Sequence, residues 1–184
     1  MPLTVSNPEL LDEDGQSDRK FRQFLYDFSA LGFYLETARG YLAGRLGLSA
    51  PQYNCLMIVA QYQGPVGISV TEVAQHLHVS IAFVTGEIRK LDKAKLVDKR
   101  RNPEDGRGVL VRLTARGKMQ VMQLKPELQF VNNRLFGSLN ATDFEMLAKT
   151  AAGLIETFAE TAAALELAQI EEVPLTSGTQ DRVP

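Results

Sequence analysis

The chain has one cysteine, two histidines and no tryptophan among its 184 residues. With Cys55 alone, no internal disulfide can form, which suits a reducing compartment, the cytoplasm. No apolar run approaches the roughly 20 residues that a membrane span needs. The opening Met-Pro-Leu-Thr-Val-Ser-Asn-Pro turns acidic too early for a secretory signal. A Gly-rich phosphate loop is missing, and so is a Ser/His/Asp set beyond chance, so no enzyme is expected. His76 and His78 are two residues apart and share no helix face. With no Cys or paired carboxylates beside them, neither a metal nor a cofactor is expected. Cys55 adjoins Leu56 on the apolar side of its segment, with no cation nearby to lower its pKa. It reads as a buried, inert thiol rather than a redox sensor.

The net charge of -2 hides a strong asymmetry. Between Arg89 and Lys118 there are eleven basic residues against four acidic ones, a net of +7. The rest of the chain carries nine basic and eighteen acidic residues, a net of -9. A basic segment in an acidic body is the charge footprint of a nucleic-acid reader.

That basic segment contains the richest pattern in the chain. Two β-rich runs, Leu96 to Arg101 and Val109 to Leu113, flank Asn-Pro-Glu-Asp-Gly-Arg-Gly. Asp-Gly and Arg-Gly supply turn chemistry, so the spacing predicts a hairpin with a long charged tip. Upstream, Ser49-Ala-Pro-Gln52 and Ser69-Val-Thr-Glu72 are capping-box patterns that open helices. Gln63-Gly64-Pro65 ends the first of these. Residues 70–77 and 80–93, joined by a tight turn, read as a helix-turn-helix, with Ser80 capping the second helix. A hairpin after two such helices is the wing of a winged helix-turn-helix.

Three longer segments carry apolar residues at steps of three and four. They run through Phe21, Phe24, Phe28 and Leu31; through Val121, Leu124, Leu128 and Val131; and through Phe144, Leu154, Phe158 and Leu165. Such helices can pack together within a chain or across a two-fold axis. Pro126 should kink the second, and Asn140 with Asp143 should start the third. The fold class expected is mostly α with a small β wing. Residues 1–16 and 171–184 are polar and read as disordered or flexible tails.

In a helix-turn-helix the second helix enters the major groove. Val84, Ile88 and Leu91 form its inward stripe, so Ile81, Ala82, Thr85, Gly86 and Arg89 face outward. Ser80 suits a phosphate, Ile81 and Ala82 a thymine methyl, and Thr85 a base or phosphate. Arg89 can reach a guanine or the backbone, and Lys90, Lys93 and Lys99 are expected on phosphates. Arg107 at the hairpin tip suits a narrow minor groove, with Asp105 holding it through a charge-assisted hydrogen bond.

These residues resemble the MarR family of bacterial transcription regulators. The carrying segments are Leu48-Ser-Ala-Pro-Gln-Tyr53, Val73-Ala-Gln-His-Leu77, Arg100-Arg-Asn-Pro-Glu-Asp-Gly-Arg107 and Val111-Arg-Leu-Thr-Ala-Arg-Gly117. The resemblance is strong from about residue 48 to 120. It implies a homodimer that reads a pseudo-palindromic operator in double-stranded DNA, and repression relieved by a small aromatic or phenolic acid. Residues 48–114 would form the DNA-binding lobe. Residues 17–47 and 115–170 would form the dimerisation lobe, with Phe21, Phe24, Leu154, Phe158 and Leu165 in its seam. The sequence departs from the family at Gly86 and Glu87, where an Arg and an apolar residue are common. Those departures remove a DNA contact and add repulsion of phosphates. His78 stands where a turn glycine is common.

A pocket for an aromatic carboxylate could draw on Tyr34, Tyr41 and Tyr53, with Arg39 or Arg45 holding the acid group. A second reading treats the winged helix as a protein-interaction module with no specific operator.

Overall fold

The computed structural model describes residues 2–102 and 108–171, the last three through their backbone alone. The elements are α1 (Arg19–Arg45), α2 (Ala50–Tyr62), β1 (Ile68–Ser69), α3 (Val70–Leu77), α4 (Ile81–Lys93), β2 (Val97–Arg101), β3 (Val109–Leu113), α5 (Ala115–Phe136) and α6 (Ala141–Glu171). The chain divides into two units, residues 1–131 and 132–184.

Within the first unit, local chemistry sets the helix ends. Ser49 and Gln52 cap each other reciprocally at the start of α2, and Ser69 and Glu72 do so at α3. Each box satisfies two amide donors that the first turn leaves without partners. α3 stops at His78, whose φ of 54° and ψ of 44° are left-handed. This is the turn conformation that a glycine would take most readily, and its N–H still reaches the Ala74 and Gln75 carbonyls.

The hairpin pairs antiparallel, with Val97 opposite Leu113 and Arg101 opposite Val109. β3 lies in the middle of a three-stranded sheet, because the two-residue β1 adds to its other edge through Ile68 and Val111. The sequence pattern did not show β1; a two-residue strand is too short to carry a period. α2, α3, α4 and the sheet close one core, with Leu56, Val59, Val73, Val84, Ile88 and Val111 fully buried. A second, smaller cluster joins α1, α2 and α5 through Leu42, Ala43, Tyr53 and Leu124. α5 begins at a close approach: a Cβ on Gly117 would lie 2.1 Å from the Leu96 carbonyl oxygen. The helix then continues through Pro126.

Along α1 only Leu42 and Ala43 are buried, while Phe24, Leu31 and Phe33 are exposed. Residues 1–16, read from composition as a disordered tail, include a 3-10 turn at Pro8–Leu10. Thr4 donates its N–H and its hydroxyl to Asp18 Oδ2, both at 2.6 Å, and Arg22 lies 2.6 Å from the other oxygen. The Thr4 donors and Arg22 hold the Asp18 carboxyl below the usual range.

In the second unit, Asn140 Oδ1 accepts the Asp143 N–H at 2.9 Å, capping α6 where the sequence placed its start. No described side chain of α6 is buried, and Phe144, Leu147 and Phe158 are exposed. Among the described residues no helix is long and apolar enough to cross a membrane.

Candidate nucleic-acid interface

The helix-turn-helix presents α4 with one buried and one open face. Ser80 Oγ accepts the Phe83 N–H at 3.2 Å, fixing the first turn. Val84, Ile88 and Leu91 are buried to 0% exposure, as the spacing predicted. Ser80, Ile81, Ala82, Thr85 and Arg89 are all exposed, so the structure brings these five sequence-predicted residues onto one open face. The Thr85 hydroxyl donates to the Ile81 carbonyl at 2.8 Å, which leaves its lone pairs to accept.

Glu87 corrects one expectation. It is not turned toward phosphates: it is 7% exposed on the inner face, and its Oε1 accepts from Lys90 Nζ at 2.7 Å. Positions 84, 87, 88 and 91 share one side of a 3.6-residue helix, so the spacing carried this signal and the charge of the residue masked it. Lys90 is therefore committed to Glu87. Lys99 lies 3.4 Å from Asp92, and Arg100 lies 3.2 Å from Asp98. Part of the positive charge counted in the sequence is thus neutralised inside the winged helix.

Arg89 and Lys93 have no ion-pair partner among the described residues, and neither do Lys95, Arg112, Arg116 or Lys118. Arg116 and Lys118 occupy the first turn of α5, where a cation opposes the helix dipole. Sequence reasoning did not assign them a role, though their placement against the dipole was legible. Asp105 and Arg107 lie outside the described residues.

Of the five residues expected to hold a ligand, Tyr41 and Arg45 meet at Glu127 and the other three take separate places. Tyr53 is buried in the α1–α2–α5 cluster, where burial pushes its phenol up. Tyr34 is exposed and stacks edge-on with Phe33. Tyr41 donates its hydroxyl to Glu127, and Arg45 Nε donates to the other Glu127 oxygen at 2.8 Å. Both donors pull the Glu127 carboxyl below its usual range, and Arg45 is already matched with a carboxylate. Arg39 stands apart, bonded to Glu36 at 2.7 Å and facing a cavity that the other four do not line.

Cys55 is fully buried. Burial, aided by the Glu87 charge, pushes its thiol up to about 11, so it is protonated at neutral pH. Among the described residues no group of three or more His, Cys, Asp or Glu side chains could hold a metal.

Known proteins share this arrangement. The MarR family model matches residues 48–109, which contain the capped helices and most of the hairpin. The chain is 29% identical over 80 residues to an uncharacterised HTH-type transcriptional regulator, YdgJ, of Bacillus subtilis; the match covers 44% of this chain and 49% of that one. It is 29% identical over 96 residues to the HTH-type transcriptional repressor Rv2887 of Mycobacterium tuberculosis, covering 52% of this chain and 67% of the relative. The chain thus spans about half the length of the first relative and two thirds of the second. Both are named as transcriptional regulators, not enzymes. Its fold matches that of CouR from Rhodococcus jostii RHA1, solved bound to p-coumaroyl-CoA, with a TM-score of 0.65 at 19% identity over 72% of this chain and 91% of that one. The capped helix-turn-helix and β2 fall within the stretch that matches the MarR family model, residues 48–109, and it is in this stretch that the chain is similar to that family.

Proposed function

We propose that the protein is a homodimeric, sequence-specific DNA-binding regulator of transcription, a repressor released by a small aromatic or phenolic acid. One observation carries the reading. The N-terminal half of α4 is open, capped and apolar-to-polar across Ser80, Ile81, Ala82, Thr85 and Arg89, while its opposite face is locked into the core. This is the geometry of a recognition helix, with hydroxyl, methyl and guanidinium groups on the exposed side. Arg89 and Lys93, which have no ion pair among the described residues, are the α4 cations available to phosphates. Lys90 and Lys99 contribute less, because Glu87 and Asp92 already hold them. Arg107 keeps its proposed minor-groove role, and Asp105 its proposed role of holding Arg107.

A dimer is supported by the exposed apolar residues of α1 and, separately, of α6, including Phe24, Phe158 and Leu165. With half-buried Phe21 and Leu154, these are the faces a second copy would cover. The release by an acid is supported by CouR, which was solved with a phenolic acyl thioester. The protein-interaction reading would gain from Gly86 and from an exposed Glu87, the two departures from the family on α4, but Glu87 is buried.

The test is binding to the duplex upstream of the protein's own gene, followed over a salt series against scrambled competitor. The operator should win, and Arg89→Ala should weaken binding and flatten the salt slope by about one unit, as expected for one lost phosphate contact. Equal affinity for scrambled DNA across the gene's flanks and the wider genome would overturn the operator reading.

A further inference from the structure

Three described carboxylates of the winged helix hold its own cations. Glu87 takes Lys90 at 2.7 Å, Asp98 takes Arg100 at 3.2 Å and Asp92 takes Lys99 at 3.4 Å. The pairs differ in depth. The side chains of Asp92 and Asp98 are 42% and 40% exposed, so water can replace their partners at little cost. The Glu87 side chain is 9% exposed, while that of Lys90 is 57% exposed. The shortest of the three pairs is also the one whose acid is buried.

The two groups stand on either side of one boundary. Three residues along α4 turn the helix by roughly 300°, so Lys90 stands about 60° from Glu87 around the axis, towards the exposed Arg89 and Lys93. Glu87 faces α2, where its charge follows burial itself as a cause that raises the Cys55 thiol. Its second oxygen, Oε2, is buried and has no hydrogen-bond partner among the described residues. Lys90 is therefore the one cation paired with this carboxylate among the described residues.

A lysine at the rim of a recognition helix is placed for a DNA phosphate. Moving Lys90 onto a phosphate would leave Glu87 buried near a thiol with no cation. An uncompensated buried charge costs more than one phosphate contact at the surface returns. A Lys90 that spans both groups gives the phosphate a pair of net charge zero, and the counterion release that drives such contacts is lost. In both cases Glu87 already stands in the place of the phosphate.

We infer that Glu87 is a built-in competitor for DNA: it takes the Lys90 ammonium in place of a phosphate and sets the affinity of α4 below what its cations would give. The inference rests on the DNA-binding reading above. Phosphate contacts carry no sequence information, so this brake acts on operator and unrelated duplex alike. It leaves recognition to lean on the Thr85 and Arg89 side chains rather than on the charge of α4.

The experiment uses the full chain, the duplex upstream of its gene and a scrambled duplex of equal length, followed by fluorescence anisotropy over a salt series. Glu87→Gln keeps the shape and removes the charge. It should tighten binding to both duplexes about fivefold at about 0.1 M salt and steepen the plot of log K against log salt by about 0.9, the mark of one added phosphate contact. The double variant Glu87→Gln with Lys90→Gln should lose the whole gain. Lys90→Gln alone, whose amide can still donate to Glu87, should keep the wild-type affinity and slope. Each variant should keep the wild-type circular dichroism spectrum, and Glu87→Leu replaces Glu87→Gln if that one does not. A folded Glu87 variant that binds no tighter overturns the brake, and so does a gain that survives in the double variant. A Lys90→Gln variant that flattens the slope by about 0.9 overturns it as well, since Lys90 would then already be on a phosphate. Equal wild-type affinity for the two duplexes would count against the operator reading alone, because the brake is read on either. A wild type that binds neither duplex overturns the DNA-binding reading and the brake with it.

Discussion

The winged helix and the long helices solve the problem of burial differently. α2, α3, α4 and the sheet bury Leu56, Val59, Val84 and Ile88 to 0% exposure within one chain. α1 leaves Phe24, Leu31 and Phe33 in the open, and α6 has no buried side chain among the described residues. One region is complete by itself. The other has amphipathic helices whose apolar faces need a cover. A part proposed to hold its shape against DNA has its own core, and a part proposed to pair copies keeps its apolar surface for the partner.

The comparison can be broken or sharpened by substitution. The largest effect should come from Leu56→Ala in the closed core, which should lower the unfolding free energy by about 2–5 kcal/mol in urea titrations. A loss below about 1 kcal/mol would show that this core is less tightly packed than its burial implies. Next comes Phe24→Asp on the open face of α1. It should weaken self-association at least tenfold by sedimentation equilibrium while the winged helix keeps its spectrum. An unchanged dimer would remove Phe24 from the proposed seam.

Ser69→Ala should cost about 1 kcal/mol, since it removes one half of the α3 capping box. The Glu127 clamp on Tyr41 and Arg45 should give a smaller, pH-dependent effect. Its folded carboxyl titrates below the usual range, so its stabilisation is complete above that range and is lost as the pH falls through and below it. Thermal unfolding of wild type and Glu127→Gln should therefore differ at neutral pH and converge in acid. A difference that stays constant into acid would sink the clamp. The least change is expected at Cys55. With its thiol pushed up to about 11 and fully buried, it should resist iodoacetamide at neutral pH until the protein unfolds. Rapid labelling of the native protein would show that the α2–α4 interface opens.

Legibility followed the range of the interaction. Capping boxes at Ser49 and Ser69, the Ser80 cap and the Asn140–Asp143 start are local, and each was readable from residues three apart. The open face of α4 followed from helical period alone. Glu87 was misread because residue type outweighed position, although Lys90 at i+3 marks its partner. Arg45 was read as free to hold an acid because its partner Glu127 lies 82 residues away, with no local mark of the pairing.

By itself the sequence determined the helices and the hairpin, their order and the residues that face outward on α4, since period, capping and turn chemistry act within a few positions of the chain. Only the tertiary structure decided which charges remain available and which side chains meet in a cavity. Those outcomes depend on partners brought close by packing, and a carboxylate distant along the chain can neutralise an arginine as fully as a neighbour can.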